Sequence, residues 1–338
     1  MRFASYNRIA ALLLAALFIA CFIAGCSGTP EPVPIERPTS APTAAPTPSP
    51  TPEPTPEPTP SPTPAPYAVI ELESYPLSGN FVLVNYSHRC DWVDEAGTRL
   101  LALHGNTGRW LLLTNNDHAL LPEVVTALDS FAEAFCNRTG GDRLLVTSSF
   151  RTLEYQQRVY DEKLAEQGAE YASMYVALPG FSEHHTGLAV DLSTMSAAGE
   201  RVPLISHAAF EWVKAHCSDF GFILRYPVGS EEITHVAFEP WHFRYVGKPL
   251  AKAIEALGMT YEEFTEHLAQ YTVEKGLLYL SEDLCCPDVA DINALPDEGW
   301  VIYTAEEGST FPAILDCSYM EIGSLNDGRL LGLFHLGH

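Results

Sequence analysis

The sequence predicts an α+β domain, an antiparallel sheet with helices packed against it, and three observations carry that prediction. Leu188 and Val190 alternate with Ala189 and Asp191, and His242, Arg244 and Val246 alternate with Phe243 and Tyr245. Both runs have the period of two expected of strands with one face in a core. Between Pro122 and Gly140, Val124, Val125, Leu128, Phe131, Ala132 and Phe135 recur with helical period, and Pro122 suits a helix start. Finally, the two strand-like runs carry His and Asp on their polar faces, so the sheet has a face built for chemistry as well as one built for packing.

Residues 1–26 read as a processing segment and not as fold. Arg2 and Arg8 supply a positive start, and the apolar run from Ile9 to Ala24 is short for a membrane span. The run ends Ile23-Ala24-Gly25-Cys26, which resembles a bacterial lipoprotein cleavage box. The resemblance implies that Cys26 is the lipidated first residue of the mature protein, anchored outside the cell. Several acyl chains on one residue anchor stably where a single chain is marginal. Residues 27–66 are a Pro/Thr-rich linker with repeated Thr-Pro-Glu-Pro and Thr-Pro-Ser-Pro units and almost nothing apolar to bury. Such a stretch stays unfolded. Its proline density favours an extended form of roughly 3.1 Å per residue, a reach on the order of 100 Å.

The remainder divides into a main domain, 67–275, and a small β-rich appendage, 276–338. Lys and Arg number 19 against 43 Asp and Glu, a formal charge of −24. That balance argues against nucleic acid, whose binding depends on neutralising phosphates with cations. It argues equally against adhesion to anionic wall polymers. Eight cysteines become six once Cys21 leaves with the signal and Cys26 is lipidated. In an exported protein, six thiols suffice for three disulfides whose pairing the sequence does not specify.

Within the main domain, Phe81-Val82-Leu83-Val84 and Trp110-Leu111-Leu112-Leu113 look like strands. After the Pro122 helix, a strand from Leu144 to Thr147 delivers Ser148-Ser149-Phe150-Arg151, and a helix follows from Glu154 to Gln167. Phe210 to Phe220 suggest a helix closed by Gly221, leading into the strand Phe222-Ile223-Leu224. Lys248 to Tyr271 form a closing helical region, in which Thr260 and Glu263 have the spacing of a capping box. In the appendage, Leu277–Leu280, Trp300–Thr304 and Leu330–Phe334 read as strands, with Asn326-Asp327-Gly328 as a hairpin turn.

The chemistry concentrates in Gly180-Phe181-Ser182-Glu183-His184-His185-Thr186-Gly187-Leu188-Ala189-Val190-Asp191 and in Glu239-Pro240-Trp241-His242. His184 and Asp191 are seven apart and would point to opposite faces of one unbroken strand. Gly187 permits a turn between them. Pro240 cannot donate to a ladder, so Glu239 is expected at a strand entrance or bend, close to His242. His184, Asp191 and His242 then form a candidate ligand set, with Glu239 as a nearby base. This is the inventory of a catalytic zinc site with an open position.

The pattern S-x-H-x-x-G-x-A-x-D followed by E-P-W-H resembles the VanY-type D-alanyl-D-alanine carboxypeptidases and the related L,D-carboxypeptidases of bacterial cell walls. The likeness takes in Ser148-Ser149-Phe150-Arg151, Glu154-Tyr155-Gln156, Gly221 to Pro227 and Phe243 to Gly247, over roughly residues 80 to 275. Ser149 and His235 depart from it, since the family usually has Gly at both positions. The resemblance implies one Zn²⁺ on His184, Asp191 and His242, with His184 and not its neighbour His185 as ligand. It implies Glu239 as general base and Arg151 as holder of the oxyanion. It also offers Gln156 and Ser182 as substrate contacts. The implied substrate is the peptidoglycan stem peptide, trimmed of its terminal D-alanine. An L,D-carboxypeptidase acting on tetrapeptide stems is the alternative within the family. A wall-binding lipoprotein that keeps the fold without turnover is the alternative outside it, and the intact Glu239 counts against that one. Contact with the membrane is expected through the lipid anchor only, and the oligomeric state is left open.

Overall fold

The computed structural model describes residues 67–71, 80–284, 287–306, 310–314 and 317–337; the segments 1–26 and 27–66, with Cys26, and the Cys285-Cys286 pair lie outside these. Five strands form the central sheet: β1 (Leu111–Leu113), β2 (Arg143–Ser148), β3 (Ala189–Met195), β4 (Phe222–Leu224) and β5 (His242–Tyr245). Their spatial order is β1-β2-β3-β5-β4, and the short strand Arg201–Val202 pairs with β3. All pairs are antiparallel except β1 and β2, which run parallel. That exception has a cause in the chain, because helix α1 (Pro122–Thr139) lies between those two strands in sequence and supplies the crossover a parallel pair needs.

Helix α1 starts with Pro122 in its first turn and ends at Gly140, whose φ of 75° is the left-handed conformation glycine adopts at little cost. Its buried face is Val124, Val125, Leu128, Phe131, Ala132 and Phe135, the set expected from the period. That face packs on Leu144, Val146, Val190, Leu192 and Phe243 of the sheet. Phe131 stacks on Phe220 and Phe222, with ring centroids 5.0 and 6.1 Å away. Each such buried side chain contributes about 1.5–3 kcal/mol. The core therefore fixes one face of β3 and β5 and leaves their other face to the polar side chains.

Helix α2 (Leu153–Gln167) is capped by Thr152, whose side chain accepts from the Tyr155 N–H, and helix α3 (Ala169–Tyr175) follows. Helix α4 (Phe210–His216) runs through a 3₁₀ turn to Gly221, with φ 84°. Helices α5 (Lys248–Leu257) and α6 (Tyr261–His267) close the domain, and Thr260 and Glu263 form the reciprocal capping box at the start of α6.

The segment 81–84 corrects the expectation of a strand. Its side chains are buried, but its backbone pairs with side chains in place of a ladder. The Leu83 N–H donates to Asn326 Oδ1 at 3.0 Å, Asn326 Nδ2 donates to the Leu83 carbonyl at 2.8 Å, and Arg244 Nη2 donates to the Val82 carbonyl at 2.6 Å. Four consecutive apolar residues signal burial, not the partner that satisfies the backbone.

The C-terminal strands are β6 (Leu277–Leu280), β7 (Pro287–Ala290), β8 (Gly299–Ala305), β9 (Tyr319–Ser324) and β10 (Leu330–Leu336), in antiparallel order β7-β6-β8-β10-β9. Asn326 to Gly328 lie in the turn between β9 and β10. Leu278, Leu280, Ile302 and Leu331 share one apolar cluster with Leu250, Ile254, Tyr261 and Phe264 of α5 and α6. The strand Tyr67–Glu71 pairs with Thr310–Ile314, so the start of the described chain is tied to this element and not to the central sheet. Cys90, Cys136 and Cys217 form no disulfide among the described residues. Burial pushes the Cys90 and Cys217 thiols up to about 12. No helix among the described residues is long and apolar enough to cross a membrane.

Candidate metal centre

The site is assembled by strand register. Asp191 on β3 stands directly opposite His242 on β5, which brings their Cβ atoms to roughly 4.5–5.5 Å. His184 arrives from a 3₁₀ turn, Glu183–Thr186, that begins at Ser182 and ends at Gly187 with φ 72°. A Cβ on Gly187 would lie 2.9 Å from Leu100 Cδ2, so the turn needs glycine for space as well as for conformation. The backbone turn in which the His242 N–H donates to the Glu239 carbonyl at 3.2 Å carries Glu239 back over His242. Glu239 Oε2 then lies 3.7 Å from His242 Nδ1.

One ligand atom from each of His184, Asp191 and His242 falls within 4.8 Å of the others, and all three residues are buried. The outer hydrogen bonds show which atoms face inward. His184 Nδ1 donates to the Ser149 carbonyl at 2.8 Å, which turns the Nε2 lone pair toward Asp191 Oδ1 at 3.3 Å. His242 Nε2 donates to Glu183 Oε2 at 3.4 Å, which turns Nδ1 toward Asp191 Oδ1 at 3.1 Å. Asp191 Oδ1 is buried, finds no other partner and faces both imidazole nitrogens. Once His242 Nδ1 is free of its proton, two imidazole lone pairs and that carboxylate oxygen converge on one point. A divalent cation that takes nitrogen and oxygen ligands, zinc above all, fits that donor set.

Three comparisons with known proteins bear on this geometry. A family model described as "VanY: D-alanyl-D-alanine carboxypeptidase" matches residues 117–248. A bifunctional D-Ala-D-Ala dipeptidase and D-Ala-D-Ala carboxypeptidase of Enterococcus gallinarum is 36% identical over 162 residues, covering 46% of this chain and 83% of that protein. The chain belongs to the VanY family. The putative carboxypeptidase YodJ of Bacillus subtilis is 41% identical over 145 residues, and there the match spans 52% of the relative. The solved structure of a D,D-dipeptidase, VanXYg, holding a D-Ala-D-Ala phosphinate analogue superposes with a TM-score of 0.64 at 24% identity. It covers 80% of this chain and 99% of that one, a likeness of fold.

In this VanY-family chain, three side chains clamp Arg151. Its Nε donates to Ser148 Oγ at 2.8 Å, Nη1 to Gln156 Oε1 at 3.1 Å and Nη2 to Asp191 Oδ2 at 3.1 Å. Its backbone is held by His185, whose Nδ1 donates to the Arg151 carbonyl at 2.7 Å. His185 is thus a structural neighbour of the ligand set. Gln156 is buried, with Oε1 accepting from Arg151 Nη1 and Nε2 donating to the Ala177 carbonyl at 2.7 Å. Ser182 Oγ accepts from the His184 N–H at 3.4 Å and starts the ligand turn. Where the family usually has Gly, the Ser149 hydroxyl meets His118 Nδ1 at 3.0 Å and accepts from the Ala119 N–H at 3.2 Å. The departure therefore brings its own partners. His235, the other departure, is exposed with its ring 4.0 Å from that of Tyr86.

Arg151, Gln156, Ser182, His184, Asp191, Glu239 and His242 all line one cavity of about 190 Å³, walled by Tyr171, Tyr175, Tyr226 and Trp241. Burial, aided by Arg151, lowers His184 to about 4. Burial works against charge on His242 as well, but Asp191, Glu183 and Glu239 outweigh it and raise it to about 9. Burial raises Glu239 to about 8; His242 and Arg151 oppose that shift, while Asp191 and Glu183 add to it. Burial would raise Glu183 too, yet Arg225 and Arg244 hold it well below the usual carboxylate range. Glu183, Arg225 and Arg244 were not singled out from sequence. The available signal was strand alternation, which puts Arg244 on the same face as His242.

Proposed function

We propose that the chain is a zinc-dependent D,D-carboxypeptidase that removes the terminal D-alanine from peptidoglycan stem peptides. The observation that carries this reading is Glu239 standing over a His-Asp-His lone-pair cluster within reach of Arg151. Membership of the VanY family supports the substrate class. His184, Asp191 and His242 would hold the zinc, which would supply a Lewis acid and lower the pKa of water.

The chain's own residues do the rest. Glu239, beside His242 at the edge of the ligand set, would accept a proton from the attacking water and return it to the leaving amine. Three of the five Arg151 N–H groups are already engaged, which leaves one on each terminal nitrogen for the oxygen that gains charge. The Arg151–Asp191 contact holds the guanidinium in place throughout. Tyr171, Tyr175, Tyr226 and Trp241 wall the cavity around these groups.

The test is incubation of the purified protein with penta- and tetrapeptide stems, followed by mass analysis. Loss of one D-alanine from the pentapeptide is expected. Consumption of the tetrapeptide alone would replace the D,D reading with an L,D one and leave the zinc chemistry standing. Hydrolysis of neither would favour a binding protein.

The N-terminal sequence supports a location as well: Cys26 lipidated at the outer face of the cytoplasmic membrane, with 27–66 as spacer into the wall. Cys26→Ser is expected to release the protein from the membrane fraction, and its retention there would contradict the anchor.

A further inference from the structure

His242 does not hold its ring unaided. Behind it lies a buried cluster of two carboxylates and two guanidiniums: Glu183, Glu262, Arg225 and Arg244 are 1, 8, 1 and 0% exposed. Glu183 divides its oxygens. Oε1 accepts from Arg225 Nε at 2.8 Å and Arg244 Nη1 at 3.0 Å, which leaves Oε2 for the His242 Nε2–H. The Arg225 fork is set from the other side by Glu262, which accepts from Nη1 at 2.8 Å and Nη2 at 2.6 Å. Asn85 Nδ2 donates to the same carboxylate at 3.1 Å. The formal charges cancel within the cluster. Without both guanidiniums, Glu183 would be a bare buried anion at a cost of several kcal/mol.

We propose that Glu262, acting through Arg225 and Glu183, is a positioning residue for the metal centre. It fixes the His242 ring with Nε2–H on Glu183 and Nδ1 toward His184 and Asp191. The inference rests on the reading of His184, Asp191 and His242 as metal ligands, and is independent of which peptide is cut. Glu262 sits on α6, outside the span 117–248 that matches the family, and so do Asn85 and the Val82 carbonyl that holds Arg244. The closing helix and the 80–85 segment are thus part of the support of a ligand. A cluster that only stabilised the fold would have no reason to end on a ligand nitrogen. A partner bonded directly to a metal ligand, as Glu183 is to His242, is worth about 10–100-fold in metal affinity, and Glu262 holds that partner in place through Arg225.

The test uses the full chain and measures zinc affinity by competition with a chelator. Glu262→Gln leaves Arg225 short of a charge and is at risk of unfolding. The double variant Arg225→Met/Glu262→Leu removes the pair together, a change such clusters tolerate. The folded double variant is expected to bind zinc about 10–100-fold more weakly. Glu266→Gln, exposed on the same helix, is expected to bind as the parent does. Parent-like affinity in the double variant would overturn the proposal. A second measurement needs no variant: nitrogen NMR of the zinc-loaded parent should show His242 Nδ1 ligated and Nε2 carrying a slowly exchanging proton. Ligation through Nε2 would overturn the proposal by itself. A parent chain that takes up no zinc would remove the metal reading and this inference with it, whatever the substrate.

Discussion

Glu239 and Glu183 flank the same imidazole, both almost wholly buried, and their proton affinities are driven in opposite directions. Burial raises Glu239 to about 8, whereas the same burial at Glu183 is outweighed by Arg225 and Arg244. Divergent environments of this sort separate a proton carrier from a fixed anion. Glu239→Gln is therefore expected to keep its zinc by elemental analysis while turnover falls about 10²–10⁴-fold. Wild-type hydrolysis by that variant would make Glu239 structural. Arg151 gives a second prediction at this scale. Lysine cannot reach Ser148, Gln156 and Asp191 at once with a fork it lacks. Arg151→Lys is expected to lower kcat about 10²–10³-fold with the fold intact by circular dichroism. A change confined to KM would limit Arg151 to substrate binding.

At the scale of elements, the site depends on two local devices, the β3–β5 register and the turn at Gly187. Gly187→Ala forces a left-handed φ of 72° on a residue with a Cβ and sets that Cβ against Leu100. Its expected cost is about 1–3 kcal/mol, read as a lower Tm of the metal-free protein, and zinc affinity should fall as His184 moves against Asp191. An unchanged Tm would mean that the turn relaxes freely. These devices were legible in the sequence because each is a local pattern: alternation for the strands, a glycine for the turn, a proline for the bend before His242. The bent placement of Glu239 followed from the same rules. The Glu262–Arg225–Glu183 support was not legible, since its members lie 37 and 42 residues apart and charge spacing says nothing of which charges meet. Segment 81–84 failed for a related reason. Its apolar run announced burial, but its backbone partners are Asn326 and Arg244, more than 150 residues away. The pairing of Tyr67–Glu71 with Thr310–Ile314 is long-range in the same sense, and no repeat or motif marks it.

For the whole molecule, protons and metal compete for the same place, and the sign of that competition can be worked out. His242 is raised from 6.5 to about 9 in the metal-free fold, and Glu239 from 4.5 to about 8. Above the unfolded values, the native state then binds more protons than the unfolded chain, so stability falls as pH rises toward 8 and 9. His184 acts in the opposite sense. Lowered from 6.5 to about 4, it costs stability as pH drops through that window. Zinc requires His242 deprotonated at Nδ1, so its affinity should rise by up to about tenfold per pH unit until the histidine no longer holds a proton. Zinc at a hundred times its dissociation constant adds about 2.7 kcal/mol of stability. The difference in Tm between zinc-loaded and chelator-treated protein is therefore expected to widen from pH 6.5 to pH 9, with the metal-free form declining and the loaded form nearly level. Scanning calorimetry across that range at fixed free zinc measures it. A difference that stays constant would mean that His242 releases no proton to the metal, and would remove Nδ1 from the ligand set.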